Sequence, residues 1–159
     1  NTTAATEFDG LKERLTGNQA LTYTGALTLD KVDELVDGVI GGPTALFMSK
    51  ATRRTVNALR RAAGQATEVV SDSFGRQIDA YAGIPIGVIE EDKDGAAILA
   101  DGEIYAIRMG VQEYVSGLQA GGMEVIDLGL NRTQYETLIE WICGIAVFHP
   151  KAAARLYSA

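Results

Sequence analysis

Apolar residues recur three and four positions apart through the first sixty residues and at alternate positions after Gly64, so helices are expected first and strands afterwards. Phe8, Leu11 and Leu15 share one helical face and stop at Gly17, which predicts a short first helix. Leu29, Val32, Leu35 and Val36 repeat as one face while Asp30, Lys31, Asp33, Glu34 and Asp37 take the other. Thr28 suits the N-cap and Gly38 the stop. Gly41-Gly42-Pro43 turns the chain into Ala45–Met48, a short apolar run that reads as a buried strand. Ser49 then caps a helix over Lys50–Ala63, ended by Gly64. Thr52, Val56, Leu59 and Ala63 line its apolar stripe, and Lys50, Arg53, Arg54, Arg60 and Arg61 lie opposite.

Beyond Gly64, alternation between glycine-rich turns predicts strands near 77–81, 84–89, 96–100, 104–109, 114–119, 123–128 and 133–148. The last is apolar at both odd positions (Ile139, Trp141, Cys143, Ile145, Val147) and even ones (Leu138, Ile142, Ala146, Phe148), the pattern of a central strand covered on both faces. At about 3.3 Å per residue it would run to roughly 50 Å, so a bend at Gly144 is expected. Pro150 suits the first turn of a closing helix over Lys151–Tyr157. Helices followed by sheet make an α+β fold, with residues 1–27 a loosely ordered segment and 28–159 one domain.

Composition narrows the function. The 159 residues suffice for one hydrophobic core, and no apolar stretch approaches the roughly 18–20 residues of a membrane span, so a soluble chain without a membrane partner is expected. One cysteine and one histidine exclude a disulfide framework, multi-cysteine metal sites and two-histidine metal sites. The net charge of −7 argues against a general nucleic-acid binder. The charge is uneven, however: residues 45–63 hold five basic groups and no acidic one.

Three constellations could carry chemistry. Cys143 with His149 could form a thiolate–imidazole pair, but Cys143 sits in the most apolar segment, where a free cysteine is core. Glu90, Asp92, Asp94, Gly95 and Asp101 occupy calcium-loop spacings. Position 1 is Glu, position 12 is Asp, and the flanks read as strands where an EF-hand needs helices, so a solvated acidic hairpin is the expectation. Lys50, Arg53, Arg54, Arg60 and Arg61 form a candidate contact face for phosphate, against which stand a plain solvated face and a face that pairs with acidic surface on another copy. No glycine pattern makes a phosphate loop or dinucleotide fingerprint. No catalytic residue, metal site or cofactor is therefore expected, and the chain reads as a non-enzyme.

Several collinear segments carry a family resemblance. They are Leu29–Leu35, Ala45–Arg54 with Leu59-Arg60, Gly75-Arg76-Gln77, Gly83–Ile86, Ile104–Arg108, the glycine-punctuated run 117–129, and Glu140–Pro150 with Ala153–Leu156. Over about residues 28–157 the chain resembles the major capsid proteins of tailed phages, the group with the Hong Kong 97-type fold. The resemblance implies a mixed, largely antiparallel sheet with packed helices, corresponding to the axial domain and part of the peripheral domain, the carboxy-terminal part of such a subunit. It implies a structural subunit of a phage or prophage capsid that self-associates into pentamers and hexamers enclosing DNA, in the virion and in the bacterial cytoplasm during assembly. The implied partners are other copies, scaffolding or portal proteins, and packaged DNA held by non-specific electrostatics. An encapsulin-like compartment subunit, or a small hydrolase or metal-binding domain, is the alternative.

Overall fold

The structure is a computed structural model and describes residues 9–71 and 74–159. Its centre is a seven-stranded mixed sheet. β1 (Ala20–Tyr23), β2 (Ala45–Ser49), β3 (Glu68–Ser71), β4 (Gln77–Tyr81), β5 (Ile84–Ile89), β6 (Ile104–Ile107) and β9 (Ala153–Ser158) are ordered β1-β9-β6-β2-β5-β4-β3. Two neighbouring pairs, β1 with β9 and β2 with β5, are parallel, and the other four are antiparallel.

Alternation along the central strands builds two apolar layers. Leu46 and Met48 of β2, Ile104 and Ala106 of β6, and Ala154 and Leu156 of β9 face α2 (Leu29–Asp37) and α3 (Lys50–Ala62), meeting Val32, Leu35 and Val56. On the other face, Tyr105, Ile107 and Ala153 pack with Leu15, Leu99 and Val115. Leu15 directly follows α1 (Leu11–Arg14), a single turn within the expected first helix; Phe8 lies outside the described residues. Leu15, Tyr23 and Leu27 all belong to these cores.

Both longer helices start where their capping residues stand. Ser49 Oγ accepts the Thr52 amide at 3.2 Å, and Thr28 holds the N-cap position of α2 without a side-chain bond. Ser49 also donates to Asp101 Oδ1 at 2.7 Å, and Thr52 Oγ1 accepts the Gly102 amide at 2.8 Å, so one helix start pins the loop before β6.

The expected strands at 114–119 and 123–128 are one strand, β7 (Val115–Asn131), continuous through a bulge where Gly121 and Gly122 adopt φ of 77° and 122°. Among the described residues it pairs along its length with β8 (Gln134–Val147), with one isolated bridge from Val115 to Met109, and the two strands form an antiparallel ribbon. β8 passes Gly144 without a break, opposite Leu118. Among the described residues it is not a central covered strand: its one sheet neighbour is β7, and Leu138, Ile139, Trp141 and Ile142 are left exposed.

Three further expectations are corrected. The segment Lys151–Tyr157 forms no helix; its Ala-rich propensity is overridden because Ala153–Ser158 fills the slot between β1 and β6, with Ala153, Ala154 and Leu156 buried. The small side chains let α2 approach closely: a Cβ built on Gly38 would stand 3.9 Å from the Ala154 Cβ. Residues 96–100 form no strand, only a bridge between Glu91 and Ala97, since both edges of β5 are already taken by β2 and β4. The strand at 104–109 ends at Ile107, where Arg108 turns toward the ribbon. β1 and β3, four residues each, were too short to announce themselves by alternation.

Candidate contact surfaces

The basic helix divides by burial. Arg60 leaves the predicted solvated face: it is 2% exposed, donates from Nη1 to the Ala80 carbonyl at 2.6 Å and from Nη2 to the Ala66 carbonyl at 3.0 Å, and pairs with Glu68 at 3.3 Å. Its guanidinium lies 5.4 Å from the Tyr81 ring centroid. A helix wheel put Arg60 beside its neighbours because the wheel cannot see that β4 closes over the last turn of α3. Lys50 pairs with Glu90 at 3.0 Å and Arg53 with Asp79 at 3.5 Å, both at the surface. Arg54 and Arg61 are exposed, and among the described residues neither has an ion-pair partner.

The acidic loop is organised by its own backbone. Asp92 Oδ1 accepts the amides of Asp94 and Ala96, both at 2.9 Å, which closes the turn around Gly95. Asp101 is turned away to Ser49. Among the described residues, no group of three or more His, Cys, Asp or Glu is placed to hold a metal ion. Cys143 lies opposite Gln119 in the ribbon, half-buried, while His149 Nδ1 accepts the Lys151 amide at 3.0 Å and so caps the turn into β9. No hydrogen bond joins the two.

A buried polar cluster braces the sheet beneath the ribbon. Glu103 pairs with Arg155 and accepts from the Tyr105 hydroxyl at 2.9 Å, and the Arg155 guanidinium stacks 4.2 Å from the Tyr157 ring centroid. Burial, followed by the bond to Glu103, pushes the Tyr105 phenol well above its ordinary range; Tyr81, bonded to Asp33 at 2.5 Å, is pushed up in the same way.

The surface that sequence reasoning missed is the ribbon. Met123, Val125, Ile139 and Trp141 on one face, and Leu118, Ile126, Leu138 and Ile142 on the other, are each 42–64% exposed. The double-sided apolar pattern was the signal, and it marks surface that contacts among the described residues leave bare. The root of the ribbon is fixed: Val115, Ile145 and Val147 pack under the sheet, and Arg108 donates to the Ile40 carbonyl at 2.7 Å while lying 4.2 Å from the Tyr114 ring centroid.

No protein-family model and no curated protein sequence matches the chain. Solved structures do. The holo-SrpI encapsulin complex from Synechococcus elongatus matches 93% of this chain at a TM-score of 0.79 and 24% identity. A virus-like particle from Pyrococcus furiosus matches 92% at 0.51 and 12%, and a structure of Mycobacterium phage Patience 91% at 0.51 and 15%. The chain has the Hong Kong 97-type fold. It spans about half the length of these structures, 55%, 58% and 46% of their chains respectively. Within the Hong Kong 97-type architecture, the mixed sheet with its packed helices is the α+β arrangement that the collinear sequence segments implied.

Proposed function

We propose that the chain is a structural subunit of a closed protein shell, built by self-association of many copies and without a catalytic role. The observation that carries this reading is the ribbon: a Hong Kong 97-type domain that leaves eleven large apolar side chains exposed along one hairpin, among the described residues, is shaped to be covered by other protein.

The shell is either a cellular compartment of the encapsulin kind or a phage or prophage capsid. The TM-score of 0.79 to the encapsulin, against 0.51 to the phage structure, supports the compartment. The ordered segments from Leu29 to Leu156 support the capsid, which would add scaffolding or portal partners, packaged DNA and a place in the virion. The test is to express the complete gene product and examine it by sedimentation and electron microscopy. Closed particles of uniform diameter are expected, and a strictly monomeric product would overturn the proposal. Nuclease-protected DNA inside the particles identifies a capsid, and co-purifying protein cargo without DNA identifies a compartment.

A further inference from the structure

The two faces of the ribbon differ in charge. Pairing across β7 and β8 places Leu130 with Tyr135, Asp127 with Thr137, Val125 with Ile139 and Met123 with Trp141 in successive rows of one face, followed by Gln119 with Cys143. Six of these side chains are large and 54–81% exposed, and the one charged residue in the rows is Asp127, whose Oδ1 accepts the Gly129 amide at 2.8 Å. The other face carries Glu124 directly opposite Glu140, both exposed. Laid on a copy of itself, that second face would bring four carboxylates together, whereas the first would meet a surface with a single carboxylate.

The first face also continues an interior. Towards the root its next rows are Ile145, and then Val147 with Val115, all packed in the core beneath the sheet. The bare stretch starts where those contacts stop, at half-buried Cys143, and reaches Tyr135, about 26 Å away at the rise of a strand. Ile139 is its midpoint. Six part-exposed side chains offering on the order of 100 Å² each would bury about 1,200 Å² over two copies, the lower end of what stable protein contacts bury.

We infer that the Val125/Ile139 face of the ribbon packs on the same face of a second copy's ribbon, with the strands antiparallel and a two-fold axis at Ile139. This rests on the self-association reading above and specifies one of its contacts. In a two-fold contact every pairing occurs twice with the roles exchanged, and the rows suit that. Met123 and Trp141, one row to the root side of Ile139, meet Asp127 and Thr137, one row to its tip side. The Trp141 indole, which makes no hydrogen bond among the described residues, then stands diagonally across from the second copy's Asp127, a donor facing a carboxylate. Tyr135 at the tip covers Cys143. Antiparallel strands also hold the two domain bodies at opposite ends of the paired ribbons, each tip stopping where the other ribbon enters its own core.

The experiment is sedimentation velocity of the intact chain over a concentration series, joined to crosslinking. Association beginning with dimers is expected, with Trp141 emission shifting to the blue and its quenching by acrylamide falling as they form. Ile139→Asp should lower the associated fraction about tenfold or more, and Leu138→Asp, the adjacent residue on the opposite face, should leave it within about twofold of wild type. Both side chains are exposed, so neither change should move the melting temperature. Packed sheets stand about 10 Å apart, and a two-fold axis brings a residue against its own copy. In a Cys143→Ser background, Ile139→Cys should therefore be joined to itself by a bis-maleimide of that reach, while Leu138→Cys should not. Equal sensitivity to Ile139→Asp and Leu138→Asp, or no self-crosslink at position 139, overturns the inference while closed wild-type particles leave the shell reading standing. Self-crosslinked, Ile139-dependent dimers from a gene product that never closes into particles support the inference and overturn the shell reading. A chain monomeric at every concentration overturns the inference.

Discussion

The Arg60 guanidinium lies 5.4 Å from the centre of the Tyr81 ring and, through Nη1, donates to the carbonyl of the residue just before it, Ala80, at 2.6 Å. One cation therefore fastens the end of α3 to β4 by charge, hydrogen bond and ring contact together. Truncating it would take this donor from the carbonyl of buried Ala80 and leave Glu68 and the exposed Ala66 carbonyl without their Arg60 partner.

Arg60→Gln is accordingly expected to destabilise the domain by about 2–4 kcal/mol, read as a lowered urea midpoint at unchanged slope. Arg61→Gln, one position on and exposed, should stay within about 0.5 kcal/mol of wild type. Equal effects would mean that Arg60 shares the solvated face after all.

Alkaline pH should weaken the fold. Burial first, and then hydrogen bonds to Asp33 and Glu103, raise the Tyr81 and Tyr105 phenols above their ordinary value of about 10, so the folded chain keeps both protons after the unfolded chain has begun to lose them. The unfolded state then binds fewer protons, and stability that is complete below about pH 10 falls as the pH rises past it. Each group can contribute a slope of at most about 1.4 kcal/mol per pH unit. Urea midpoints between pH 8 and 11 check this: Tyr81→Phe and Tyr105→Phe should each flatten the decline, and a decline unchanged in both variants would assign it to other groups.

Much of this architecture is written locally. Ser49 caps α3 and the Leu46/Met48 alternation marks β2 because each depends on neighbours a few residues away. Ala153–Ser158 was illegible because its conformation is decided by β1 and β6, more than forty residues distant, and alanines leave no alternation to read. Arg60 was misplaced for a related reason: only the path of β4 distinguishes it from Arg61. For Trp141 and its neighbours, periodicity reports that a surface is apolar on both sides but cannot say whether the cover comes from the same chain or another.

Trp141, the only tryptophan, tests that point directly. It is 54% exposed on the ribbon, so in the unassociated chain it should be readily quenched by acrylamide. Trp141→Ala should then cost the isolated domain less than about 1 kcal/mol, where a packed aromatic would cost about 3–5. A larger loss, or strong protection from quencher, would show that the ribbon folds back on its own domain.

The reassignment of 151–157 from helix to strand has consequences at two neighbouring positions. Leu156 is fully buried between Leu21 of β1 and Ile104 of β6, and Leu156→Ala should cost about 2–5 kcal/mol through lost burial and the cavity left behind. Ala154 is the sharper probe. It is buried where α2 approaches β9, so Ala154→Val, although it raises strand propensity, inserts two methyl groups beneath the helix and should cost about 1–3 kcal/mol. On the surface of a closing helix the same change would cost only a few tenths, the difference in propensity alone. Urea midpoints of the two variants separate the cases: two large losses place the segment between β1 and β6, whereas a nearly neutral Ala154→Val would return it to a helix on the outside of the domain.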